Sequence, residues 1–287
     1  MKNIGRTLFA LSLAGISLCA TSAQEKMSIP KVLQIQREFL KPGKGGNIHE
    51  VKESAFIDAM SRAKWPTHYI GMTSLSGKSR ALFFTSYASL EAWEKDYAAV
   101  GKNAALSSAL DRAYAADGEL LDSTDTGVFL FQEEMSLRPK PDLGAARFME
   151  ISAYHVRPGH NKEWTEAVKL VKAAYEKGVP ESHWGVFEQA YGGDGGTYLV
   201  LTSHKSLSEV DQGFADDKKF VATMGEDGMK KLSELIAACV ESSQHQLFAI
   251  NPHMSYVSDE WIKASPDFWG VKHAAAKAPA STKKDKP

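Results

Sequence analysis

VLQIQREFLKPG (residues 32–43) and FMEISAYHVRPG (residues 148–159) are two versions of one pattern. Each carries nine residues in which apolar and polar positions largely alternate, and each then breaks at Pro-Gly. Alternation with a period of two marks a strand with two unlike faces. A glycine after proline supplies the backbone freedom that a tight turn needs. Two similar strand-and-turn units about 116 residues apart suggest that the chain was built by doubling a shorter one.

The correspondence extends outward from these stretches. His68-Tyr69 is answered by His183-Trp184, and Thr85-Ser86 with Ser89-Leu90 by Thr202-Ser203 with Ser206-Leu207. Asp122-Ser123 matches Glu241-Ser242, and Met135-Ser136 matches Met254-Ser255. The pairs keep their order and a nearly constant offset. The expected modules are 31–137 and 148–257, separated by a linker over 138–147 with prolines at 139 and 141 and a glycine at 144. Within each module the first strand (32–40 or 148–156) and its turn lead into an amphipathic helix. In the second copy that helix is expected over 162–176, with Trp164, Val168, Val171 and Tyr175 at helical spacing. A hairpin is expected at 67–75 with 80–86 and at 183–190 with 197–203, turning at Gly77 and within 192–196. Ser89 and Ser206 then stand as N-caps. Further helix is expected at 103–116 and 227–239, and a last strand at 126–135 and 245–251.

The order β-α-β-β-α-β, twice over, is a ferredoxin-like plan. Tandem copies of it resemble the dimeric α+β barrel superfamily, which includes antibiotic-biosynthesis-type monooxygenases, NIPSNAP-like and EthD-like proteins and haem-binding relatives of chlorite dismutase. The resemblance implies an α+β fold in which two four-stranded sheets pair within one chain, helices outside. Its motifs assign no single member family and carry over no catalytic residue or cofactor. A chain that pairs its own halves can be a monomer with a pseudo-dimeric fold, and a homo-oligomer remains open.

The chain ends have a different character. Lys2 and Arg6 precede an apolar run over 7–20, and Thr21-Ser22-Ala23 supplies small residues for a cut before Gln24. Residues 1–23 therefore read as a secretory signal peptide, which implies a periplasmic or secreted protein. The apolar run is short of the ~20 residues that span a bilayer. Residues 272–287 hold five lysines, several alanines and two prolines, and are expected to be a solvated basic tail. Over the whole chain, 43% hydrophobic and 24% charged residues are enough for a packed core and exclude wholesale disorder. A net charge of −1 argues against nucleic acid as a partner. With Cys19 in the leader, Cys239 is left as a lone cysteine, so no internal disulfide staples the fold.

Chemical motifs are few. Gly77-Lys78-Ser79 lacks the strand-to-helix setting of a phosphate loop, and no metal-ligand spacing stands out. Cys239 lies in an apolar helical run and reads as a small buried hydrophobe. The candidate ligand-binding residues are the polar positions of the two first strands: Gln34, Gln36 and Glu38, and Glu150, Ser152 and Tyr154. The apolar positions of the same strands (Leu33, Ile35, Met149, Ile151) are expected to meet the helices, which would turn the polar set toward a space between the paired sheets. His68 and His183 are candidates because imidazole exchanges protons near neutral pH, and Trp65 and Trp184 because they adjoin the histidines. Three classes follow: a binder of a small organic ligand or partner, a cofactor-free or metal-assisted monooxygenase or isomerase, and a haem protein.

Overall fold

The computed structural model describes residues 29–140 and 143–271. The expected leader and the whole of the basic tail lie outside the described residues, as do linker positions 141 and 142. Strand β1 (Val32–Leu40) leads to helix α1 (Asn47–Ala63), the hairpin β2 (Tyr69–Ser74) and β3 (Arg80–Tyr87), helices α2 (Leu90–Lys102) and α3 (Ala104–Asp117), and β4 (Leu121–Phe131). A similar order follows as β5 (Phe148–Val156), α4 (Asn161–Gly178), β6 (Gly185–Tyr191), β7 (Thr197–His204), α5 (Leu207–Cys239) and β8 (Val240–Ile250), with α5 a single run kinked at Gly225 where the first half has two helices. Two short helices, α6 (Asp259–Ala264) and α7 (Pro266–Trp269), end the described chain. Among the described residues no helix is long and apolar enough to cross a membrane.

The eight strands close into one antiparallel barrel in the order β1-β3-β2-β8-β5-β7-β6-β4. In each half the first strand pairs with the third and the fourth. Gln34 opposes Thr85 where Glu150 opposes Thr202, and the register shifts once in each first strand, at Phe39/Leu40 and at His155/Val156. The halves join where β2 meets β8 and β4 meets β6.

Both joints carry the same lock. After β4 a single 3-10 turn (Glu133–Met135) places Ser136, whose hydroxyl accepts from the Val186 N–H at 2.9 Å and donates to the Gln132 carbonyl at 2.7 Å. After β8 a matching turn (Pro252–Met254) places Ser255, which accepts from the Gly71 N–H at 2.9 Å and donates to the Asn251 carbonyl at 2.7 Å. Backbone bridges Leu137 to Trp184 and Tyr69 to Tyr256 extend each joint. Glycine is required at 71, because a Cβ there would sit 2.3 Å from the Met254 carbonyl oxygen.

Most expected elements form, with shifted edges. The last strands begin earlier than their apolar runs, at Leu121 and Val240, because a polar, exposed stretch continues the pairing with β1 and β5. The first of them ends at Phe131, and residues 133–135 form the turn that precedes Ser136. Ser89 caps α2 by accepting from the Ala92 N–H. Ser206 occupies the corresponding position but turns its hydroxyl to Ser208 instead, at 2.7 Å. Gly77, Gly192 and Gly196 take positive φ in the hairpin turns, where glycine avoids a steric cost, and Cys239 is buried as a free thiol.

The direction of the first-strand side chains is the reverse of expectation. Leu33, Ile35, Met149 and Ile151 belong to a single apolar cluster with Met72, Leu82, Phe129, Phe187, Leu199 and Phe248. That cluster draws on all eight strands, which only the barrel interior can bring together. An eight-stranded barrel is just wide enough for side chains to fill, so the apolar set packs inside. Gln34, Gln36, Glu38, Glu150, Ser152 and Tyr154 consequently lie on the outer face, beneath the helices.

Candidate functional site

Among the described residues, three cavities that border the barrel bear on the candidate residues. One, of about 700 Å³, opens at a barrel end and is lined by residues of both halves, including His68, His183, Trp184, Tyr69, Phe84 and Trp261. This is where the two sequence-matched histidines come together. Each precedes its strand by a residue or two instead of opening it. The His68 ring stacks on Tyr256 at 4.9 Å, and burial lowers its pKa against the opposing pull of Asp259. Burial likewise lowers that of His183, helped by Lys140. His183 Nε2 lies 3.1 Å from the Ser203 carbonyl, and Trp184 donates to the Met135 carbonyl at 3.0 Å. Much of this polar lining is therefore already bonded to the protein.

A second cavity, of about 530 Å³, lies between the outer face of the second half and helices α4 and α5. Glu150, Ser152 and Tyr154 line it together with His183 and Trp184. Glu150 is 3.4 Å from His204, whose hydrogen bond is the main cause of its lowered pKa, with burial opposing. Ser152 is 2.8 Å from His245 Nδ1, and Tyr154 packs against Trp164 with ring centroids 5.3 Å apart.

A third cavity, of about 380 Å³, sits under the helices of the first half and contains Gln34, Gln36 and Glu38. Phe56, Phe83 and Trp93 supply aromatic wall, and Tyr69 reaches it from β2. Gln36 donates to Glu38 at 2.5 Å. Trp65 lines none of these cavities. It is buried against Phe56 and Leu106 and donates to Asp96 at 2.9 Å, so it serves the helix packing.

Beside this third cavity stands a group that the sequence reading missed. Glu38 on β1, His49 and Glu53 on α1, and Asp117 at the end of α3 place one ligand-type atom each within 4.8 Å of one another, all buried. His49 Nε2 is the hub, 3.1 Å from Glu38 Oε2, 3.3 Å from Asp117 Oδ1 and 3.6 Å from Glu53 Oε1. The spacing of His49 and Glu53, four residues apart on one helix face, was the available signal. Glu38 and Asp117 come from distant segments and could not be joined to it by spacing.

The electrostatics are unbalanced. Burial would lower the His49 pKa, but Asp117, Glu38 and Glu53 outweigh it and raise it to about 10. The Glu53 carboxyl is pushed well above its ordinary value by burial and by the charges of Glu38 and Asp117. Among the described residues no lysine or arginine pairs with these three carboxylates. Asp117 also occupies a helix C-terminus, where the helix dipole disfavours an anion. Glu53 Oε1, Asp117 Oδ1, His49 Nδ1 and the nearby Tyr69 hydroxyl are buried without a hydrogen-bond partner.

The sequence matches no family model and no curated protein. Solved structures of similar shape include a monooxygenase-like protein of Fusobacterium nucleatum, at 11% identity over 78% of this chain and 94% of that one, with a TM-score of 0.48. An anthrone oxidase-like protein matches at 14% identity over 77% and 91%, TM-score 0.46. Chlorite dismutase from Candidatus Nitrospira defluvii matches at 10% identity over 83% and 96%, TM-score 0.44. They single out no member family.

Proposed function

We propose that this chain is an exported protein that binds a small, largely apolar organic molecule in the 380 Å³ cavity of its first half. The observation that carries the reading is the convergence of Gln34, Gln36, Glu38 and the unpartnered Tyr69 hydroxyl on one aromatic-walled space. A concave, mostly apolar site with a few converging polar groups is what a small ligand requires, and the volume is at the lower end of such sites. Export rests on the leader-like residues 1–23. The matched strand registers and the two serine locks support reading the halves as tandem ferredoxin-like modules from one duplication, paired within a monomer.

A second reading, a cofactor-free or metal-assisted monooxygenase or isomerase, is favoured by Glu53 and Tyr69 standing at the cavity wall. Buried titratable groups with displaced pKa values concentrate where protons are moved. Native mass spectrometry of the protein from its own host tests the binding reading. An organic adduct should accompany the wild type and be lost from Ser107→Trp, which fills the cavity from α3. An adduct that survives this substitution would place the ligand elsewhere.

A further inference from the structure

We propose that Glu38, His49, Glu53 and Asp117 bind one divalent first-row transition cation, of the Mn(II) or Fe(II) class, with its open side toward the adjoining cavity. This goes beyond the organic-ligand reading and does not depend on it. One imidazole nitrogen and three carboxylate oxygens already lie within 4.8 Å of one another. The three contacts of His49 Nε2, at 3.1–3.6 Å, fall in the range of neighbouring donors around an ion with bonds near ~2.1 Å. Three oxygens favour a hard ion and the imidazole a transition ion.

Two further observations point to a cation. Three buried carboxylates face one imidazole, which leaves negative charge that only protons or a bound cation can neutralise. Outside the four residues, the Tyr69 hydroxyl is buried and unpartnered on the same cavity wall as Glu38 and Glu53. That position suits a hydrogen bond to a water or ligand atom held by the ion. The cavity itself supplies the path of entry.

The test uses the full mature chain, stripped with chelator and titrated with MnCl2 while free Mn(II) is followed by electron paramagnetic resonance. One equivalent should bind, and a saturating amount should raise the melting temperature. Pulsed spectra should show coupling to one imidazole nitrogen. Glu53→Gln and Asp117→Asn should weaken binding by at least ~100-fold, since each removes an anionic ligand. Tyr69→Phe should retain the one-equivalent stoichiometry. Failure of the wild type to take up Mn(II) at millimolar concentration would overturn the proposal, as would an undiminished affinity in both carboxamide variants. The nitrogen coupling is read on the wild type, so its absence counts against the site even if a variant does not fold. An organic adduct bound without metal would leave the ligand reading intact.

Discussion

The Ser255 hydroxyl accepts the Gly71 N–H at 2.9 Å, tying the exit of the last strand to the second strand of the other half. Ser136 does the same for Val186 at the opposite joint, also at 2.9 Å. Each serine thus satisfies a buried backbone donor at a seam where the barrel could open. Ser255→Ala and Ser136→Ala should each cost about 1–3 kcal/mol, the penalty for orphaning a buried N–H. Urea unfolding checks this, and hydrogen exchange at Gly71 or Val186 should accelerate in the matching variant only.

The reversal of faces makes a sharper prediction. Phe248 is fully buried inside the barrel, so Phe248→Ala should destabilise by about 3–5 kcal/mol. Gln34→Ala, one face away, removes a polar cavity-lining side chain and should cost less than about 1 kcal/mol. Equal losses for the two in chemical denaturation would contradict the assignment of the interior.

Asp96 on α2 accepts from Trp65 Nε1 at 2.9 Å, Thr67 Oγ1 at 2.6 Å and the Tyr87 hydroxyl at 3.0 Å. Asp96→Ala leaves all three donors without their acceptor, at a cost of about 2–4 kcal/mol. The loss should appear in thermal melts together with altered tryptophan fluorescence, because Trp65 loses its anchor.

Glu150 provides the pH test. Its folded pKa lies below the unfolded value of about 4.3, chiefly through the hydrogen bond with His204. The folded state therefore binds the proton less well than the unfolded state. The resulting stability is present above the unfolded pKa and is lost as pH falls through the folded one. The side chain is 40% exposed, so solvent screening holds the contribution to about 1 kcal/mol or less. The stability gap between wild type and Glu150→Gln should be visible at pH 6–7 and shrink below about pH 4.

Much of the scaffold is legible in the amino-acid sequence. Alternation in 32–40 and 148–156 located both first strands to the residue. The repeated Met-Ser pairs at 135–136 and 254–255 marked equivalent positions, although nothing in them disclosed that the serines would lock the halves together. Edges were less legible. The polar beginnings of β4 and β8 lack an apolar pattern because they are exposed there, and pairing with β1 and β5 alone makes them strand.

The candidate site was legible only in pieces. Glu38 is a candidate by its place on an alternating strand, but barrel closure turns it to the outer face instead of the inner one. Period-two alternation by itself separates two faces without saying which one closes on itself. His49, Glu53 and Asp117 carry no motif that links them to Glu38, since their partnership crosses from a strand to two different helices.

The amino-acid sequence by itself determined the order of elements, their doubling and the separation of polar from apolar faces, because local periodicity and turn chemistry act over a few residues. Only the tertiary structure decided which face turned inward. Closing eight strands into a barrel leaves an interior that apolar side chains must fill. That closure drives the polar residues under the helices, where Glu38 meets His49, Glu53 and Asp117.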